Sequence, residues 1–506
     1  MMLRSNYYVN SFFWSTIAKL LNAIVGFITV PLLLGYFGKA DYGLLSIATA
    51  CNGYMHLMDL GMNTGAVKYF SQWAAEGNKE KIFRVARTNI TFYIIISIIN
   101  IIGLIALAIW GENLFSVSHD QFLQLRDCFY ILALFSTISW VTTAFNQLLV
   151  ADKQMAFTMQ IQSLITVLKL GLIGITIWGA LSLSEYFFWL TLIVAIVIVP
   201  YMYKCKKCSL IDSFKPALFW SEFRVVLFFS LSLFALSLFQ VTASQSRPII
   251  LGVFCDNGAE AVADFRLVEV IPSFIIMLSG SFLSIFLPKT SEMLVRNDKE
   301  EIIAFVKKWT TFTTIIVCVL CFPFVISNKE IISAYVGSSY SYLGKWMALW
   351  CAFLIIQLHS TPAFSLVLAN GKTKALVWFT CVACVVSMIV NASLSKVIPV
   401  GSAVIGYSTY MVILIFVYYL YFYKKYLNLS RWLLIKAFLM PIIPAVIAAI
   451  VPLVVKFDIS IFDSFSTSER LNYILLFAIN AVLWLVIYTI LLKMLKLLPS
   501  LKTLKK

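Results

Sequence analysis

The chain has 506 residues, 61% of them hydrophobic, a mean hydropathy of +0.92 and a formal net charge of +16. Soluble domains are only about half apolar, so a water-soluble globular fold is excluded and the sequence reads as a polytopic membrane protein. The positive balance is not a nucleic-acid signature, because Lys and Arg gather on alternate loops, and no nucleic-acid partner is expected.

A membrane span needs about 20 mostly apolar residues. Fourteen such stretches follow one another, at 11–34, 42–66, 89–110, 128–150, 157–180, 186–203, 225–254, 264–288, 309–327, 342–368, 376–396, 400–423, 433–455 and 472–492. The first shows no small-residue cleavage site and reads as a retained span, not a signal peptide. The fold class expected is therefore all-α, with about fourteen transmembrane helices. Of the Lys and Arg residues between spans, 28 fall on one side and six on the other, the six being Lys39, Arg126, Lys329, Lys396, Lys456 and Arg470. The positive-inside rule puts the crowded side, and with it both termini, in the cytoplasm.

The external loops are short. The first is 35–41, and the longest lie near 111–127 and 456–471, too short for an extracytoplasmic domain. Two internal segments, 68–88 and 289–308, pattern as amphipathic helices: Ile82, Val85 and Ala86 alternate with Lys81, Arg84 and Arg87, and Ile302, Ile303, Phe305 and Val306 with Lys299, Lys307 and Lys308. They are expected to lie on the inner membrane face, as anchors to anionic headgroups or as gating levers. The ten cysteines are scattered. The pairs Cys205/Cys208, Cys318/Cys321 and Cys381/Cys384 lack the further ligands a zinc site needs and read as small hydrophobes, so neither metal nor cofactor is expected.

The sequence also repeats itself. Pro31-Leu32-Leu33-Leu34-Gly35-Tyr36-Phe37 returns as Pro248-Ile249-Ile250-Leu251-Gly252-Val253-Phe254, 217 residues on. Asn78-Lys79-Glu80-Lys81-Ile82 and Thr91-Phe92 return as Asp298-Lys299-Glu300-Glu301-Ile302 and Thr311-Phe312, 220 residues on, and Ala151-Asp152-Lys153 is echoed weakly by Asn370-Gly371-Lys372. The offset joins span 1 to span 7. Six spans is an even number, so the two copies enter the membrane the same way up, as in parallel transporter repeats. This divides the chain into a six-helix bundle over 1–224, a second over 225–431, and an appended helix pair with a basic tail over 432–506.

Charge inside a span is costly and marks a substrate or ion path. Five cations lie within spans: Lys19, Lys169, Arg247, Arg266 and Lys345. Lys19 and Lys169 lie deep. Arg247 and Lys345 are near span ends, where snorkelling to the interface and facing a cavity both remain open. Arg266 and Glu269 share a helix face at i, i+3 and can pair. Asp59, in Met58-Asp59-Leu60-Gly61, suits a gate, a proton site or a helix-end partner. His359 suits a packing histidine or a proton relay. The cationic excess suits an anion, since Arg forks match phosphate oxygens and Lys supplies point charge.

The stretch Pro31-Leu32-Leu33-Leu34-Gly35, Gly38, Asp41-Tyr42-Gly43 and Asp59-Leu60-Gly61 resembles the polysaccharide biosynthesis/export family of Wzx-type O-antigen flippases, of the superfamily that also holds MATE drug exporters and MurJ lipid II flippases. The resemblance implies a six-plus-six-plus-two arrangement, with the last pair forming a groove for a lipid tail. Ala263-Asp264-Phe265-Arg266-Leu267-Val268-Glu269 resembles the Ala-Asp-Arg-Leu-x-Glu stretch that opens span 8 in MurJ proteins, with one residue inserted before the Arg. The resemblance makes Arg266 and Glu269 cavity residues needed for function. The arginine pair that MurJ proteins carry in span 1 has no counterpart here; Lys19 is the nearest cation, which argues for a different headgroup.

Together these readings predict a flippase, not an enzyme, moving a polyprenyl-diphosphate-linked oligosaccharide (an undecaprenyl-type carrier) to the outer leaflet of a bacterial inner membrane by alternating access, for lipopolysaccharide O-antigen or capsule-type synthesis. The substrate would meet Lys19, Lys169, Arg247, Arg266 and Glu269 in a wet chamber between the bundles. Coupling to a proton or sodium ion would run through Asp59 or His359, and a glycan polymerase or other assembly protein would be a partner. A MATE-like drug or ion antiporter would want luminal acids instead. A membrane glycan polymerase or glycosyltransferase would want a clustered acid–base set on external loops, which is absent.

Overall fold

The computed structural model describes residues 2–296, 299–369, 373–425, 427–455 and 468–497. Most of the predicted loop 456–471, the weak echo at Asn370, Gly371 and Lys372, and the last residues of the basic tail lie outside them. Every described secondary-structure element is helical. This is the solution a lipid environment demands, since backbone groups there must bond within their own segment. The chain divides into two packed units, Met1–Ala263 and Asp264–Lys506.

The first unit opens with α1 (Met2–Met55), a single helical run in which Gly38, at φ 80°, joins two helices at a kink. The predicted loop 35–41 is thus a kink and not an excursion. A 3-10 turn, His56–Asp59, then leads through Leu60 and Gly61, both left-handed, into α2 (Met62–Ala75). The predicted second span is therefore broken at Asp59-Leu60-Gly61. Gly61 is required there: its φ is 74°, and a Cβ would sit 2.6 Å from the Ser230 carbonyl.

Helices α3 (Lys79–Trp110) and α4 (His119–Ala151) follow, each capped by its own sequence. Asn78 accepts from the Lys81 amide, and Ser118 forms a capping box with Gln121. α5 (Met155–Gly179), α6 (Leu183–Ala195), α7 (Ile198–Lys207) and α8 (Trp220–Phe254) complete the unit, α6 starting at a Ser182/Glu185 capping box.

The amphipathic segment around 79–88 is helical but not a separate surface helix. It forms the first turns of α3, and Ile82, Val85 and Ala86 are buried in a core with Met62, Phe70 and Trp73. Its basic face grips the connection between α7 and α8. Arg87 Nε donates to the Lys215 carbonyl at 3.0 Å, Arg84 pairs with Glu222 at 3.3 Å, and the Phe219 amide donates to Thr88 at 2.9 Å. Residues 299–308 likewise continue without a break into the next long helix.

α9 (Gly258–Arg296) crosses the division between the units. Beyond it come α10 (Lys299–Ile326), α11 (Asn328–Val336), a 3-10 stretch Ser338–Leu343, α12 (Gly344–Leu358), α13 (Thr361–Ala369) and α14 (Thr373–Leu394). The chain continues through α15 (Pro399–Val417), a π turn Tyr418–Phe422, α16 (Tyr423–Lys425), α17 (Arg431–Val455) and α18 (Glu469–Met494). α17 carries Pro441, Pro444 and Pro452 and packs on α10 and α18. Trp484 and Tyr488 of α18 donate to the Ala445 and Pro441 carbonyls of α17 at 3.0 and 3.1 Å.

Element starts recur along the chain: His119 and Ser338 are 219 apart, and Leu183 and Pro399 216. All fourteen predicted spans fall on helical stretches or on short breaks between them. Among the described residues, eleven helical runs are long and apolar enough to cross a membrane, one of them, Phe13–Asp59, holding 47 residues and thus room for two predicted spans. The protein is a multi-pass membrane protein.

Candidate functional site

Charged and titratable groups inside the predicted spans are the candidates for a functional site. Asp59 lies in a network of polar side chains. The helix break exposes the first amides of α2, and Asp59 Oδ2 accepts from the Asn63 N–H at 3.0 Å. Its Oδ1 accepts from the Tyr93 hydroxyl at 2.5 Å. That hydroxyl in turn accepts from Gln147 Nε2 at 2.6 Å, and Gln147 Oε1 accepts from Asn89 Nδ2 at 2.6 Å. The donors run one way. Gln147 offers its amide protons to Tyr93, so the tyrosine proton goes to Asp59, and both carboxyl oxygens are used as acceptors. The His56 ring lies tilted against Trp140 at 5.1 Å, and Trp140 stacks on Tyr93 at 5.9 Å, so aromatic rings flank the site.

The network bridges α3 and α4 and continues along them as Ser97 with Thr137 at 3.1 Å and Ser136 with Asn100 at 3.1 Å. Interhelical hydrogen bonds of this kind hold membrane helices together at about 0.6–2 kcal/mol each. Tyr93, Gln147 and Asn89 were not singled out from the sequence. The signal was there: Asn89, Tyr93, Ser97 and Asn100 form one stripe at helical spacing through an apolar span.

In the second unit Arg266 Nη1 pairs with Glu269 Oε2 at 2.5 Å, as the i, i+3 spacing predicted, with both side chains mostly buried. The flanking residues of the same turn are anchored. Tyr342 donates to Asp264 at 2.7 Å, and Phe265 stacks on Trp350 at 5.8 Å. The pair thus sits on a helix turn whose preceding residues are anchored to Tyr342 and Trp350.

Lys19 on α1 is exposed and Lys169 on α5 is half-buried. Their helices pack together, yet no ion pair joins either lysine to a described residue. Lys345 is exposed beside the Trp346 ring, at 5.1 Å. Arg247 is 5% exposed, and its Nε donates to the Ser244 carbonyl at 3.0 Å. His359 is buried, with Nδ1 at 2.5 Å from the Ile356 carbonyl, Nε2 at 2.7 Å from the Tyr419 hydroxyl, and its ring 4.0 Å from that of Phe438. Both of its nitrogens are occupied. All ten cysteines are free thiols, and Cys205 donates to the Phe145 carbonyl.

Comparison with known proteins agrees with this architecture. The family model for polysaccharide biosynthesis proteins matches residues 8–294. No curated protein matches the sequence significantly. Among solved structures, the chain is similar to the lipid II flippase MurJ in an inward closed conformation, with a TM-score of 0.67 at 13% identity over 95% of this chain and 99% of that one. It is also similar to an inward-facing multidrug resistance MATE family transporter of the MOP superfamily, with a TM-score of 0.56 at 15% identity over 77% and 95% of the two chains. A mutant of the Vibrio cholerae MATE transporter VcmN gives a TM-score of 0.53 at 11% identity over 85% and 100%. At these identities the likeness is one of fold.

Proposed function

The chain belongs to the polysaccharide biosynthesis protein family, and from that premise we propose that it is a flippase for a polyprenyl-diphosphate-linked oligosaccharide, moving it from the inner to the outer leaflet of a bacterial cytoplasmic membrane for O-antigen or capsule-type synthesis. What supports this reading is an arginine on a predicted span, Arg266, paired with Glu269 on an anchored turn, within a family-matched chain whose span charges are mostly cationic.

In this reading the diphosphate is neutralised by Lys19, Lys169, Arg247 and Arg266, while Glu269 holds the Arg266 fork in the orientation that receives it. Residues 1–224 and 225–431 act as the two rocking bundles, and 432–506 supplies the pair along which the lipid tail rides. No bond is made or broken. Carrying about two negative charges outward across an interior-negative membrane gains roughly 4.6 kcal/mol per 100 mV, so the potential alone can drive the step. Asp59, with its one-way donor chain, is the coupling group for a proton or sodium ion. A polymerase or other assembly protein takes over the product outside.

The test is a Lys169→Ala/Arg266→Ala double variant with membrane insertion verified. Lipid-linked glycan should accumulate on the inner leaflet and surface glycan should fall. Normal surface glycan in that variant defeats the site assignment. A second reading, a drug antiporter, draws on the fold shared with the MATE transporters. It predicts drug resistance on overexpression and no stranded glycan on deletion.

A further inference from the structure

α8 carries Pro248 in its interior, one residue after Arg247. Proline has no amide hydrogen, so the carbonyl four residues earlier, that of Ser244, loses its helical donor. Where a helix crosses lipid, such a carbonyl must find another partner within the protein. Here it does: Arg247 Nε donates to the Ser244 carbonyl at 3.0 Å. The register makes this natural, because the residue preceding a proline always lies three after the carbonyl that the proline opens, and a helical side chain folds back toward that turn.

The same device occurs elsewhere in the chain. Thr361, which precedes Pro362, donates to the Leu358 carbonyl at 2.7 Å. The carbonyl that Pro441 opens, that of Ala437, is met by Thr311 at 3.2 Å. Arg247 differs in bringing a charged, planar donor to a task that a hydroxyl performs at the other sites.

We infer that Arg247 is a positioning residue of α8: its Nε stands in for the amide that Pro248 lacks, and this bond fixes the plane of the guanidinium. The inference stands on the geometry of α8; the anion role of Arg247 rests on the reading above, and the two separate experimentally.

The experiment compares wild type, R247A, P248A and R247A/P248A as full-length protein in detergent. R247A should lower Tm by roughly 3–6 °C. P248A should not, because the restored amide closes the Ser244 carbonyl. The double variant should match P248A to within about 1 °C. If R247A cannot be recovered from membranes, recovery of the double variant gives the same answer. A double variant as unstable as R247A, or R247A as stable as wild type, overturns the inference. Surface glycan is measured on the same four proteins. The double variant should fold yet export poorly, which a purely structural arginine would not produce. Full export by a stable double variant removes Arg247 from the substrate site and leaves its bond to Ser244 standing.

Discussion

The hydroxyl of Thr311 donates to the carbonyl of Ala437 at 3.2 Å, and 220 residues earlier Thr91 makes the matching bond to Ala217 at 2.7 Å. In both pairs the partners lie 126 residues apart, and each threonine shares its single hydroxyl proton with the carbonyl four residues before it, that of Arg87 or Lys307. The duplicated Thr-Phe dipeptides thus perform the same task twice, tying the first turns of α3 and α10 to chain that comes later. The partners differ in what they need. Ala437 lies in α17, four residues before Pro441, and has lost its helical donor, whereas Ala217 lies in a non-helical connection.

Thr311→Val should therefore be the more damaging of the two matched substitutions. It leaves a carbonyl without its donor inside a helix packed in the membrane, at about 1–3 kcal/mol, while Thr91→Val costs about 1 kcal/mol or less. Thermal unfolding of the two variants, side by side, checks the order. Adding Pro441→Ala to Thr311→Val should return most of the loss.

The carboxylate of Asp59 faces donors on both oxygens. Asp59→Asn keeps the shape but turns one acceptor into an amide donor that meets either the Asn63 N–H or the Tyr93 hydroxyl. We expect Asp59→Asn to perturb the break between α1 and α2 more than Tyr93→Phe, which deletes one bond and leaves the helix cap intact. Proteolysis at 56–62 and export of glycan, measured for both, give the ranking; equal behaviour would show that the cap is idle.

Breaking the Arg266–Glu269 pair from one side takes a charge-balancing partner away from a mostly buried turn. Arg266→Ala and Glu269→Ala should each lower the amount of folded protein, by the equivalent of about 2–5 kcal/mol. Replacing both should restore folding but not export. Protein yield in membranes and surface glycan are the two readouts, and a double variant that exports normally would remove the pair from the transport path.

Gly43 allows α1 to approach the start of α9 closely: a Cβ there would lie 1.8 Å from the Ala259 carbonyl oxygen. That atom is backbone and cannot rotate away. Gly43→Ala should separate the two segments and weaken the neighbouring Lys39–Glu260 contact, now 3.6 Å. A cysteine pair at 39 and 260 should cross-link less readily in the Gly43→Ala background.

Much of the architecture was legible in the sequence because hydrophobic length and loop charge are strong signals in a membrane protein. Spans, repeat offset and the Arg266–Glu269 contact needed only periodicity. The misreadings share a cause. Lys81, Arg84 and Arg87 give the start of α3 an amphipathic pattern, but their face turns toward the α7–α8 connection, a partner no local pattern reveals. The second span looked continuous because Asp59-Leu60-Gly61 is short and apolar residues flank it; only the left-handed Leu60 and Gly61 show the break. Tyr93 escaped notice because tyrosine is common near membrane interfaces, and its value here comes from Gln147, 54 residues away.

The grip of α3 on residues 212–222 has a practical corollary. Arg87 holds Asp212 at 3.5 Å as well as the Lys215 carbonyl, and Arg84 lies 5.5 Å over the Phe219 ring and beside Glu222. A segment fastened at so many points is not slack cord. Splicing a reporter or an epitope into it would pull at α3, whereas a single cut there would leave the severed ends docked, so two separately expressed pieces that meet in this stretch should find each other and work.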